Sequence, residues 1–409
     1  MHPQSIGVPT GPVAIPTQRE SMSNSSGSKS SGKTHHVDAR LLSVQALRAV
    51  AALLVVWVHS IDAAEIYSSP RQSRFFHWGN YGACGVDIFF AISGFIVSQV
   101  AVRLADRNPG ATSATARQFL TRRITRIYPL YWILTAVVIA IDELGRHHIQ
   151  WHSFHWLPTL LLFPSLHALG NAPALSLGWS LMFEMYFYLI LTIFMVWTPR
   201  SLVRNTTLFL CVMIIAGTLV NIHRPLIVIW MNPIVLEFVF GCLIGLVFSH
   251  GTMTFKKKKI GVWIAVIGAS LLAATIFTGY GRASEQDWIL AGYYSWLRVG
   301  VWGVPAALLV GGVIFWNPKM RSAPARLLVF LGDASYSIYL CTIPSRSVVE
   351  HFWRFFGRFG ADTGVFLGVL FCTMVGVICY LLLERPLMRA FHNWYKPIPI
   401  HKKPAALSP

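Results

Sequence analysis

The residues best placed to do chemistry are charged or titratable groups set inside apolar runs. Leu47-Arg48-Ala49-Val50-Ala51-Ala52-Leu53-Leu54-Val55-Val56-Trp57-Val58-His59 puts Arg48 and His59 eleven residues apart. On a helix that is about three turns and roughly 16 Å of rise, so the two lie near one face. Histidine is the side chain that exchanges its proton most readily near neutral pH, which makes His59 a candidate general base. Gly82-Ala83-Cys84-Gly85-Val86-Asp87-Ile88-Phe89-Phe90-Ala91-Ile92-Ser93-Gly94-Phe95 carries a carboxylate, Asp87, that needs a partner. Orienting His59 is one use for it and a structural ion pair is the other. Ser93 is a weaker candidate nucleophile, because a serine in such a run commonly bonds its own backbone.

Arg122-Arg123-Ile124-Thr125-Arg126 sets Arg123 and Arg126 three apart, on one face if helical. Their forked guanidinium groups suit phosphates, including those of a nucleotide-like cofactor. The plain alternative is a basic anchor at a membrane face. Glu184, in Trp179-Ser180-Leu181-Met182-Phe183-Glu184-Met185-Tyr186-Phe187-Tyr188, is a second carboxylate in apolar surroundings. It either helps to bind or deprotonate a hydroxyl or pairs with a buried arginine.

The elements that position these groups are membrane-spanning helices. Of the 409 residues, 54% are hydrophobic and 12% charged, about half the charge fraction of a soluble domain. The apolar residues come in long runs, and a bilayer core about 30 Å thick takes roughly 20 of them per helix. Spans are expected near 44–66, 82–102, 128–145, 176–197, 206–222, 226–249, 260–279, 288–315, 327–349 and 364–383. The fold class is thus all-α, a polytopic transmembrane bundle of about ten helices. Residues 41–390 form the transmembrane domain. The Ser/Gly-rich stretch within 1–40 reads as a disordered tail, and 391–409 as a C-terminal tail.

The formal net charge of +18 would suggest nucleic acid on a soluble protein. Here the basic residues sit between apolar runs. One alternating set of loops, with the N-terminal tail, is about threefold richer in Lys and Arg than the other. The positive-inside rule makes that set cytoplasmic and places both termini inside. Lys256-Lys257-Lys258-Lys259 reads as a topology anchor, with anionic-lipid or nucleotide binding as the alternative. The multi-pass chain is expected in the inner (plasma) membrane. The six cysteines show no CxxC spacing and read as small hydrophobes. His147-His148-Ile149-Gln150-Trp151-His152-Ser153-Phe154-His155-Trp156 has His148 and His152 at i, i+4, but no carboxylate completes an ordinary metal site. An interfacial aromatic belt fits it better, and no bound metal is expected. Trp151 or Trp156 could also stack on a sugar.

Together these segments resemble the acyltransferase-3 family of bacterial membrane O-acyltransferases. Arg48 and His59 match its Arg/Lys-x10-His motif, and Gly85 to Phe95 is similar to its second-helix signature. Arg123-Ile124-Thr125-Arg126 matches Arg-x-x-Arg, and Trp179 to Tyr188 resembles the fourth-helix pattern. Leu331-Gly332-Asp333-Ala334-Ser335-Tyr336-Ser337-Ile338-Tyr339-Leu340 resembles the late Ser-Tyr-Ser motif, and Glu384-Arg385-Pro386 the closing Glu-x-Pro. Cys341-Thr342-Ile343-Pro344 stands where the family has a histidine shortly after Ser-Tyr-Ser. The resemblance implies an acyl-coenzyme A donor, acetyl or succinyl, at the cytoplasmic face. Arg48, Arg123 and Arg126 would bind it, and His59 would act with Asp87 or Glu184. It implies a glycan acceptor: lipopolysaccharide, exopolysaccharide or another lipid-linked sugar. The main rival is a proton-coupled transporter, which also uses intramembrane Arg, His, Asp and Glu. Transporters often carry internal repeats, and none is visible here. A structural partner in glycan export is a third reading, and it would tolerate loss of His59.

Overall fold

The computed structural model describes residues 32–68, 80–108, 110, 112–146, 156–164, 173–220, 225–250, 255–277, 289–290, 292 and 294–394. The chain divides into two units, Met1–Asp38 and Ala39–Pro409, and the second carries everything that follows. Its helices are α1 (Leu42–Tyr67), α2 (Cys84–Arg107), α3 (Thr112–Arg146), α4 (Gly178–Trp197), α5 (Leu202–Val220) and α6 (Leu236–His250). After them come α7 (Phe255–Ala274), α8 (Ser295–Trp316), α9 (Ala323–Asp333), α10 (Ser335–His351), α11 (Ala361–Cys379) and α12 (Arg385–Trp394). No strand occurs among the described residues.

Nine of the described helical segments are long and apolar enough to cross a membrane. The pair α9 and α10, bent by 70° at Ala334, passes the same test only when taken together, which makes nine to ten spans. The expected all-α polytopic bundle is therefore present. The third span differs most from expectation: α3 begins at Thr112, sixteen residues before the apolar run. Arg123 and Arg126 consequently sit on the span helix itself. Pro129 is accommodated inside α3, whose C-terminal half Tyr128, Tyr131 and Trp132 tie to the 156–162 segment. They donate to the carbonyls of Leu161, Thr159 and Leu160 at 2.6, 2.9 and 2.8 Å.

Packing follows the small residues, as expected where lipid supplies no hydrophobic drive between helices. α2 lies along α6, α7 along α8, and α10 along α11. A Cβ on Gly94 would collide with the carbonyl oxygen of Phe238, and one on Gly241 with that of Ala91. The α2 and α6 backbones therefore touch directly. Phe90, Phe183, Phe187 and Phe238 fill the centre beside this contact. Two π turns interrupt the bundle, Val299–Gly303 within α8 and Tyr380–Glu384 between α11 and α12. Each adjoins a buried ionisable residue, Arg298 and Glu384. Single π turns of this kind concentrate at functional sites.

Candidate active site

Arg48, Arg123, Arg126 and Glu184 converge on one cavity of about 90 Å³, walled by five helices. α1 brings Arg48, α3 brings Arg123 and Arg126, α4 brings Glu184, and α2 contributes Ser93. Ser93 Oγ donates to Glu184 Oε1 at 2.7 Å, and the Tyr188 hydroxyl donates to the same oxygen. Glu184 thus lies in a polar cluster and makes no contact with His59. None of the three arginines has a salt-bridge partner among the described residues. Arg123 lies against the rings of Phe119 and Tyr188, at 5.3 and 5.7 Å from its guanidinium carbon. Its Nε is buried without a hydrogen-bond partner. A buried cationic donor left unmatched is costly, and an anion in the cavity removes that cost.

The late Ser-Tyr-Ser segment closes this cavity. Ser335, a buried hydroxyl without a protein partner, lines it. The Tyr336 hydroxyl donates to the Ile127 carbonyl at 2.7 Å, one residue past Arg126. Ser337 Oγ donates to Glu384 Oε2 at 2.5 Å, fixing the second π turn. The Tyr339 hydroxyl meets Ser180 Oγ at 2.7 Å and the Leu177 carbonyl at 3.1 Å, at the start of α4. Three residues of α10, Tyr336, Ser337 and Tyr339, therefore hold α3, the second π turn and α4 around one space.

His59 is elsewhere. It lies three turns beyond Arg48 on α1 and does not line the cavity. Its Nδ1 is 3.0 Å from Asp62 Oδ2. Arg346 of α10 approaches the same Asp62 oxygen at 3.5 Å and donates through Nε to Glu350 at 2.5 Å. The sequence reading missed Asp62, which was legible as a carboxylate three residues after an intramembrane histidine.

Asp87 does not orient His59. Of the two uses open to it, the structure has the ion pair: Arg298 donates through Nε and Nη2 to its two oxygens at 3.0 and 2.8 Å. Both side chains are fully buried. Helix register is the reason. Gly85 packs on the Ala51 carbonyl and Gly82 on that of Leu54, so Asp87 faces the neighbourhood of residue 49, roughly 15 Å of helix from His59. Arg298 also stands over Trp179 and Trp302, at 5.4 and 5.1 Å. Glu237, wholly buried, joins this group against Gly303. The His147–His155 segment lies outside the described residues.

A family model described as an acyltransferase domain matches residues 41–385. The exopolysaccharide production protein ExoZ of Rhizobium meliloti is 32% identical over 320 residues, covering 76% of this chain and 92% of that protein. The peptidoglycan O-acetyltransferase OatA of Listeria monocytogenes is 23% identical over 396 residues, covering 87% of this chain and 57% of that protein. The O-acetyltransferase OatA of Staphylococcus aureus is 23% identical over 339 residues, 76% of this chain and 53% of that protein. The chain therefore spans little more than half the length of these two acetyltransferases. No solved structure matches. Matched over 345 positions and built as a helical membrane bundle that gathers Arg48, Arg123, Arg126, Glu184 and Ser335 on one cavity, the chain belongs to the acyltransferase-3 family and is a membrane acyltransferase.

Proposed function

We propose that the chain transfers a short acyl group, acetyl in the simplest case, from acyl-coenzyme A to a hydroxyl of a cell-surface or exported glycan. The observation that supports the donor is the set of three guanidinium groups, Arg48, Arg123 and Arg126, around one cavity that holds a single carboxylate, Glu184, with none of the three in a salt bridge among the described residues. Forked cations left unpaired suit a diphosphate. The glycan acceptor is supported by relatives named for exopolysaccharide production and for peptidoglycan O-acetylation. By the positive-inside rule the Arg48 end of α1 is cytoplasmic, in the plasma membrane, and His59 lies toward the outer face.

A thioester is already activated, so the demanding step is deprotonating the sugar hydroxyl. His59 does this from Nε2, with its Nδ1 proton donated to Asp62. The acceptor oxygen forms a bond to the thioester carbonyl carbon as its proton passes to the imidazole. The C–S bond then breaks, and the thiolate leaves, taking that proton back. Asp62 holds the tautomer and stabilises the transient imidazolium, while Arg346 holds Asp62. Such base assistance is worth about 10²- to 10⁴-fold. Glu184 and Ser93 position the acyl arm in the cavity.

The test is thiol release from acetyl-coenzyme A by the purified chain in lipid nanodiscs with a glycan acceptor, alongside acyl analysis of surface glycans from wild-type and deletion strains. Release that needs both acceptor and His59 is expected. A chain that moves protons or substrate without ever cleaving the thioester would instead be a transporter.

A further inference from the structure

We infer that a wide basin adjoining the cavity takes the nucleotide end of the donor, and that Arg385 and Arg389 of α12, with Arg122 of α3, recognise a ribose 3′-phosphate there. This rests on the donor reading above and places the part of the molecule that reading left unassigned. The basin has a volume of about 790 Å³. It meets the 90 Å³ cavity at Arg48, Arg123 and Arg126, which line both. The narrow cavity fits a linear arm; only the basin has room for a nucleoside.

Six guanidinium groups line the basin against two carboxylates, Asp333 and Glu384. Glu384 is already engaged by Ser337. None of the six arginines has a salt-bridge partner among the described residues. The formal excess is four positive charges. A phosphomonoester carries about −1.5 to −2 near neutral pH, so a diphosphate with one such ester comes to about −4. Anchoring of the helix ends to anionic lipid accounts for arginines that face outward. It does not account for three helices bringing six arginines, three of them exposed, to the lining of one basin.

The distribution within the basin divides the phosphates. Arg48, Arg123 and Arg126 stand at the mouth of the narrow cavity, where the arm begins, and so meet the diphosphate. Arg385 and Arg389 are four apart on α12 and share a face. The π turn Tyr380–Glu384 sets that face relative to the last span. With Arg122 they form the second cationic group, all three exposed at the rim of the basin where a solvent-borne phosphate arrives, and Phe391 adds an apolar wall suited to a purine.

The full chain in nanodiscs is assayed for thiol release with acetyl-coenzyme A and with acetyl-dephospho-coenzyme A, which lacks only the 3′-phosphate. The wild-type chain should prefer acetyl-coenzyme A in kcat/KM by roughly tenfold to a hundredfold, the range of a charge-assisted contact. In Arg385→Gln/Arg389→Gln that preference should fall to near unity. Lys258→Gln, which removes a basic residue outside the basin, should retain it. A wild-type chain indifferent to the 3′-phosphate, or a double variant that keeps the preference, overturns the assignment while leaving the donor reading intact. Failure of both thioesters to release thiol overturns the two together. Should the double variant not accumulate, inhibitors of the wild-type chain read the same site. Adenosine 3′,5′-bisphosphate should inhibit at least about tenfold better than adenosine 5′-diphosphate; equal potency overturns the assignment.

Discussion

At the scale of single residues, His59 and Asp62 form the pair whose loss should be most specific. Asp62→Asn keeps the shape of the carboxylate but can donate to Nδ1, which turns the imidazole to the unproductive tautomer. Turnover should fall about 10²- to 10⁴-fold with donor KM little changed, and His59→Gln should do at least as much. Thiol release at saturating donor measures both. An Asp62→Asn enzyme with wild-type turnover would leave the contact as packing only. Asp87 belongs to a different economy. Removing one partner of a buried ion pair costs about 3–5 kcal/mol, because the other charge is left uncompensated. Asp87→Asn should therefore lower the thermal midpoint in detergent, and Arg298→Met in the same chain should recover part of the loss. If Asp87→Asn abolished turnover in a chain of unchanged stability, the structural role would be wrong. The rule that charged groups in apolar runs are informative found Asp87 and Glu184, yet applied evenly it also reaches Asp62, Glu237 and Arg298. All three are single charges within apolar runs, so the signal for them lies in the sequence. Which carboxylate faces which cation was never in the spacing, because it depends on how two helices slide past one another.

Helices show where local pattern and tertiary structure part company. Length and apolarity were enough for the spans, because a bilayer demands them. The start of α3 was not legible, since its first turns are polar and no lipid constrains them. The break at Ala334 was not legible either: Leu331-Gly332-Asp333-Ala334-Ser335 contains no proline. It follows instead from Gly332, whose missing side chain admits the Gln45 carbonyl of α1. The direct contact of α2 and α6 makes a sharp expectation. Gly94→Leu must push the two backbones apart and should cost about 1–3 kcal/mol or more by overpacking. Folded yield from membranes and the thermal midpoint report it. Gly110→Leu, at a glycine with open space around it, should change neither. Equal behaviour of the two variants would mean that α2 and α6 do not meet as described.

For the whole molecule, the basic residues carry a commitment about sides. Reporter tags after Lys259 and at Pro409 should be found in the cytoplasm, and a tag near His152 outside. A cytoplasmic tag near His152 would invert the scheme and move the arginines away from the compartment of the proposed donor. The convergence of five helices on one cavity could be anticipated only through the family's ordered motifs. Composition and periodicity say that a bundle exists, and they are silent on which faces meet. The separation of Arg48 from His59, by contrast, was readable at once, because a single unbroken helix sets it.

That helix acts as a gauge. Arg48 and His59 are fixed to one rod, about 16 Å apart along its axis. A donor gripped at one mark delivers its reactive end to the other only if its arm has the matching length. Lengthening the arm by one methylene, as in acetyl-homopantetheine-coenzyme A, leaves every phosphate contact available and moves the thioester off the second mark. Such a donor should bind with near-normal affinity and turn over far more slowly, since an error of about 1 Å in placement can cost 10²-fold. Equal turnover would show that the arm folds to absorb the difference. With the slower turnover, choice of carrier is written in the interval between two residues on α1, with no pocket needed to exclude its longer kin.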